Sequence, residues 1–247
     1  MGVAAAQAKG ETPLRRFTPA RRLPSIPAHS GERPDMTKTL LTFGDSNTHG
    51  TPPIMTRGIY ARYDARTRWP RVTQSMLGAD WALVEEGLPG RTTQHDDPVM
   101  GAQMNGRTGL KIALQSHGPI DVLTIMLGTN DLKTRFAPTP QFVTAGTAGL
   151  LDIALGDEMQ TRHGGFSVVL ICPPPVLEQG VLKGEFIGAA EVSQALADCY
   201  RALAEARGVA FLDAGAAIEV SQVDGVHFEA AAHQDLGAVV ARQVQAL

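Results

Sequence analysis

Leu40-Leu41-Thr42-Phe43-Gly44-Asp45-Ser46-Asn47-Thr48-His49-Gly50 is the stretch on which the rest of the chain turns. Its first four residues are apolar or β-favouring and run straight into Gly-Asp-Ser. That is the pattern of a buried strand ending in a tight turn that opens a helix or loop. A serine so placed sits at the carboxyl end of the strand, the edge at which open α/β sheets hold their ligands. Asp and Ser are also common helix N-caps and turn formers. The stretch alone therefore carries two readings, a nucleophile or a cap, and the surrounding chain has to decide between them.

Outward from it the pattern alternates. Short β-branched apolar runs stand at 40–43, 81–84, 122–127, 168–172 and 209–212, and stretches with helical spacing lie between them at about 68–77, 109–117, 140–155, 189–207 and 229–246. Five strands alternating with helices argue for an α/β fold, a five-stranded parallel sheet covered by helices on both faces in three αβα layers. The loops leaving the carboxyl ends of the strands then share one rim, and function is to be sought there.

Composition bounds the rest. The chain has 247 residues, 43% of them hydrophobic, and a formal net charge of -3 with both signs mixed, enough for one domain of about 200 residues with a substantial core. A mildly acidic balance gives no footprint for nucleic acid or for an anionic membrane surface. Residues 1–36 differ: five Arg and five Pro with no long apolar run predict a disordered extension ahead of a single domain at 37–247. The two cysteines, Cys172 and Cys199, lack metal-ligand spacing and are read as buried free thiols, which points to a cytoplasmic protein.

The five rim loops are informative to different degrees. After Ser46 a long irregular passage through Pro52-Pro53 to Tyr63 reads as a wall of the site or a contact between subunits. The second strand leads to Gly87-Leu88-Pro89-Gly90-Arg91-Thr92-Thr93, where Gly90 either supplies a positive φ or offers its bare N–H to an oxyanion. Asp96-Asp97-Pro98 with His95 lacks a third ligand at matching spacing, so no metal is expected. The third strand ends in Gly128-Thr129-Asn130-Asp131, and an asparagine there is either an N–H donor to developing negative charge or an Asx turn. Pro173-Pro174-Pro175 after the fourth strand predicts a stiff wall, continued by 176–186. The last loop carries Asp224-Gly225-Val226-His227, an acid and a histidine three apart around a turn-permitting glycine, just ahead of the final helix.

Taken together, these loops resemble the GDSL-type serine hydrolases of the SGNH superfamily, whose four sequence blocks carry Ser, Gly, Asn and His. The blocks match Gly44-Asp45-Ser46, the Gly90 turn, Gly128-Thr129-Asn130-Asp131 and Asp224-Gly225-Val226-His227 in the family's order, over about 37–247. Glu85-Glu86-Gly87-Leu88, Arg91-Thr92-Thr93, Asp96-Asp97-Pro98, Pro173-Pro174-Pro175 and Asp213-Ala214-Gly215 look like the bacterial aryl esterase and acyltransferase branch. The resemblance implies a flavodoxin-like SGNH fold, short-chain acyl esters as substrates, acyl transfer or perhydrolysis as side activities, no cofactor, and a homo-oligomer, with an octamer known in that branch. Two departures stand out. Asn47 and His49 replace hydrophobic residues that follow the serine in that branch, and Gly90 stands where one of its acyltransferases has Ala.

The resemblance assigns Ser46 as nucleophile, His227 as general base and Asp224 as its orienting acid. It assigns the Ser46 and Gly90 N–H groups and the Asn130 amide to the oxyanion hole. Asn47 and His49 are expected to contact substrate, which opens a second reading, a carbohydrate O-acetylesterase using the same groups. A third reading, from outside enzymology, is a silent binding or scaffold protein that kept the fold.

Overall fold

The computed structural model describes residues 37–247, together with Met1 and Gly2. The expectation of disorder for 1–36 falls outside the described residues. Five strands, β1 (Lys38–Gly44), β2 (Trp81–Gly87), β3 (Val122–Met126), β4 (Ser167–Cys172) and β5 (Ala210–Asp213), form one sheet in the order β2-β1-β3-β4-β5, parallel throughout. Successive side chains of a strand point to opposite faces, and the sheet buries both. One face carries Leu41, Phe43, Leu123, Ile125, Leu170 and Cys172 into a core with Leu110, Leu114, Val143, Leu150 and Tyr200. The other carries Leu40, Val122, Met126, Val169 and Ile171 into a core with Trp69, Phe228, Leu236 and Val240.

The helices sort accordingly. α3 (Gly106–Ser116), α4 (Pro140–Ala154) and α7 (Leu196–Arg207) lay their apolar stripes on the first face, while α2 (Trp69–Leu77) and α8 (Ala230–Gln245) cover the second. This is the three-layer arrangement that the alternating pattern predicts. Two short helices complete the first side, α5 (Asp157–His163) and α6 (Ala189–Gln194), and α1 (Ser46–His49) is a single turn at the end of β1. Among the described residues no helix is long and apolar enough to cross a membrane.

β1 lies between β2 and β3, which are reached by crossovers on opposite faces, so the sheet changes direction between β1 and β3. In open α/β sheets the crevice at such a switch point is where ligands bind. The segments leaving those two strands begin with Ser46 and, a few residues past β3, Asn130.

Candidate active site

The turn after β1 resolves the double reading of Asp45-Ser46. Asp45 is the cap: its carboxylate accepts the N–H of Asn47 at 2.9 Å and closes the start of α1. Ser46, relieved of that role, turns its hydroxyl to His227, whose Nε2 lies 3.0 Å from Ser46 Oγ. His227 Nδ1 in turn stands 2.6 Å from Asp224 Oδ2. A carboxylate on Nδ1 holds the proton there and leaves Nε2 as the acceptor facing the hydroxyl, the arrangement that activates a serine as nucleophile.

The loop that presents this pair is built on the short spacing between them. Asp224 Oδ1 accepts the backbone N–H of Val226 (3.0 Å) and His227 (2.9 Å), and Oδ2 also accepts that of Ile54 at 2.7 Å, so one carboxylate ties the last loop to itself and to the first. Burial alone would raise the pKa of Asp224. The hydrogen bond and charge of His227, together with the N–H groups of His227 and Ile54, outweigh it and hold the carboxyl below its ordinary value. Gly225 turns the chain at φ 75, and a Cβ there would meet the Leu177 carbonyl at 2.1 Å, so only glycine fits between the acid and the histidine.

Asn130 opens a 3-10 turn, Asn130–Leu132, just past β3. Its Nδ2 donates to the Arg91 carbonyl at 3.1 Å and, more loosely at 3.4 Å, towards Asp45 Oδ2. Both contacts engage the amide nitrogen, the first of them at the shorter distance. Gly90 lies opposite at φ 92, with the tip of Met100 where its Cβ would be. Beneath them Arg91 is buried, donating from Nη1 to the carbonyls of Gly44 and Glu86 with its guanidinium 4.1 Å from the centre of the Phe43 ring. It thereby joins the ends of β1 and β2, and burial draws its pKa down to about 10. Asp45, buried with it, is pushed up to about 6 by desolvation, against the Asn47 N–H and the charges of His227, Lys133 and Arg91.

Ser46, Gly90, Asn130 and His227 all line one cavity of about 340 Å³. Its walls are mainly apolar: Ile54 and Ile59 from the first loop, Pro89 and Met100 from the second, Leu182 and Phe186 from the fourth, Val226 from the last. Tyr60, Lys133 and Glu185 bring polar groups to the same wall. The long first loop and 176–186 therefore shape the site as expected, whereas Pro173 and Pro175 border a different hollow with Cys172 and Asp213.

The family model of GDSL-like lipase/acylhydrolases matches residues 42–234. The chain belongs to that family. Among solved structures, the aryl esterase of M. smegmatis is 37% identical with a TM-score of 0.80, over 85% of this chain and 99% of that one. Est24, a carbohydrate acetylesterase from Sinorhizobium meliloti, is 36% identical with a TM-score of 0.79, again over 85% and 99% of the two chains. A carbohydrate acetylesterase family member from the same organism is 32% identical, with a TM-score of 0.78 over 85% and 98%. No curated protein matches. With the family comes the enzyme class, a carboxylic ester hydrolase.

The structure places two expected substrate contacts of this GDSL-like acylhydrolase outside the cavity lining. Asn47 is buried at 1% exposure and its Nδ2 donates to the Val226 carbonyl at 3.1 Å, which ties α1 to the histidine loop. His49 directs Nε2 to the Tyr60 hydroxyl at 2.6 Å. Neither lines the cavity. Their polar groups are taken up by the Val226 carbonyl and the Tyr60 hydroxyl, so their polarity serves the loops around the site. The residues that sequence reasoning missed, Tyr60 and Lys133, lie in a loop and a turn with no periodicity to mark which side chains face inward. His95 and Asp97 are likewise engaged in the scaffold, His95 stacked on Phe142 with ring centres 4.3 Å apart and Asp97 paired with Arg135 at 2.7 Å. Cys172 is buried and Cys199 only half-buried, both free.

Proposed function

We propose that this chain hydrolyses short-chain acyl esters, aryl esters among them, through an acyl-Ser46 intermediate. The observation that carries the reading is the continuous relay Ser46 Oγ, His227, Asp224 opening into a small apolar cavity. Ser46 Oγ attacks the ester carbonyl while His227 Nε2 takes its proton. The resulting imidazolium is stabilised by Asp224, and the same proton passes to the departing alcohol. The oxyanion of the tetrahedral intermediate takes N–H groups from Ser46 and Gly90 and the amide of Asn130, whose N–H towards Asp45 is held weakly enough to turn onto it. Water then releases the acyl group. A second alcohol in its place gives acyl transfer by the same steps.

Chain length follows from the space. About 340 Å³ lies at the low end of small-molecule sites, room for an acetyl to butyryl group with a compact alcohol. The expected result for p-nitrophenyl esters from acetate to octanoate is a steep fall in kcat/KM beyond butyrate. A profile that rises towards octanoate contradicts the short-chain reading.

The carbohydrate O-acetylesterase reading draws on Asn47, His49 and the arginines of the first loop as sugar contacts, and none of those arginines lines the cavity. With all of these outside the cavity lining, its remaining support is the polar trio Tyr60, Lys133 and Glu185 and the likeness to Est24. We also propose self-association: Met55, Ile59, Tyr60, Val99 and Ile187 stand exposed on loops around the mouth of the site, an apolar surface of the kind that marks a protein contact.

A further inference from the structure

Lys133 is unusual in this site. It is only 5% exposed, it lines the cavity that holds Ser46 and Asn130, and it begins the chain's exit from the Asn130 turn. Its ammonium has one hydrogen-bond contact among the described residues, the thioether of Met100 at 3.5 Å, a weak acceptor. The acids whose charge reaches it are already engaged. Glu185 receives Arg57 at 2.7 Å and Arg135 at 3.3 Å, Asp97 receives Arg135 at 2.7 Å, and Asp45 receives the Asn47 N–H at 2.9 Å. Burial and the neighbouring Arg135 both work against the ammonium and lower its pKa. A buried charge is normally paired, because leaving it alone sacrifices its hydration without return. On the cavity side, which Lys133 lines together with Ser46 and Asn130, an incoming ligand can supply the pairing oxygen.

We propose that Lys133 is a specificity-determining residue that receives an anionic oxygen of the substrate, so that the preferred esters carry a carboxylate a few atoms from the scissile bond. The inference rests on the esterase reading of the same site. The apolar walls accommodate the carbon chain, the oxyanion hole takes the ester carbonyl, and the ammonium takes the far end. Hydrogen bonds to charged groups are about twice as strong as neutral ones. Their loss in an enclosed site typically costs about tenfold to a hundredfold in kcat/KM. The carboxylate has two places to stand, on the acyl half or on the alcohol half.

Two ester pairs separate those cases: ethyl hydrogen succinate against ethyl pentanoate, and 3-acetoxypropionate against butyl acetate. For each pair the ratio of kcat/KM, anionic over neutral, is measured on the full-length parent, Lys133→Gln and Lys133→Arg. In at least one pair Lys133→Gln is expected to lower the ratio about tenfold or more, with Lys133→Arg keeping most of it, and that pair identifies the half that bears the charge. A ratio that moves less than about threefold in both pairs, while Ser46 still hydrolyses the neutral esters, overturns the assignment of Lys133 and leaves the esterase reading standing. Hydrolysis that survives Ser46→Ala overturns both. The parent alone gives an independent check should Lys133→Gln fail to fold. Glutaramate should inhibit neutral-ester hydrolysis about tenfold more strongly than pentanamide, and equal inhibition by the two counts against an anion site.

Discussion

Asn130 and Asp224 act on opposite sides of the reaction, and their replacements should read differently. Asn130 contributes an N–H that matters once negative charge develops, so Asn130→Ala should lower kcat on the order of 100-fold to 1000-fold with little change in KM. A loss confined to KM contradicts its place in the oxyanion hole. Asp224 accepts on both oxygens, His227 Nδ1 and the Ile54 N–H on one, the Val226 and His227 N–H groups on the other. An amide in its place presents an NH2 to donors whichever way it turns. Asp224→Asn should therefore cost about 10,000-fold in kcat, as a wrongly held imidazole does in serine hydrolases, and lower Tm as well. Full activity in that variant would mean that the backbone alone orients His227. At this scale the sequence was legible where a residue's role depends on chain spacing: Asp224 and His227 sit three apart, and Ser46 ends a strand. It is silent on where Asn47 and His49 turn, because polarity next to a nucleophile does not say which way a side chain points on a one-turn helix.

The element that sets the nucleophile is α1, and its position depends on β2. Gly87 ends β2 against the backbone of α1, where a Cβ would come within 2.3 Å of His49 N and 2.6 Å of its Cα. Neither atom can yield without moving the helix that begins with Ser46. Gly87→Ala should accordingly depress Tm and kcat/KM together, and a variant with parental values for both would show that α1 is not held by this contact. Strands are legible as short apolar runs because the sheet buries both faces, and long helices because their apolar period of 3.6 survives in the sequence. α5 was not: its seven residues bury only Met159 and His163, too few to make a stripe, although Asp157-Glu158 at its start and Gly164 at its end are ordinary terminal signals. The break at Ala195 between α6 and α7 is also silent in the sequence, since Ala favours both helices it separates.

For the molecule as a whole, the parallel αβα architecture followed from alternation alone, while the resemblance rather than any spacing supplied the flavodoxin-like form. One buried charge should be visible in global stability. Asp131 accepts the N–H and hydroxyl of Thr93 at 0% exposure, and desolvation, opposed by Thr93, pushes it up to about 7. A carboxyl raised on folding keeps its proton in the folded state at pH values where the unfolded chain has lost it. Its contribution to stability is complete below an unfolded value of about 3.9 and is lost as pH rises through 7. Asp131→Asn should thus reduce the drop in Tm between pH 5 and pH 8, and parallel profiles for the two proteins would remove Asp131 as its source. The apolar residues around the mouth make a second prediction at this scale. Light scattering behind gel filtration should give a mass above the 26.2 kDa of one chain, and a monomer at micromolar concentration contradicts self-association.

All of these expectations depend on Ser46 being the group that forms a covalent bond with the acyl carbon. The most direct test is to treat the protein with a fluorophosphonate and locate the adduct by peptide mass mapping. One adduct is expected, on Ser46, lost in His227→Ala. An unlabelled Ser46, or an adduct on another residue, would contradict that role.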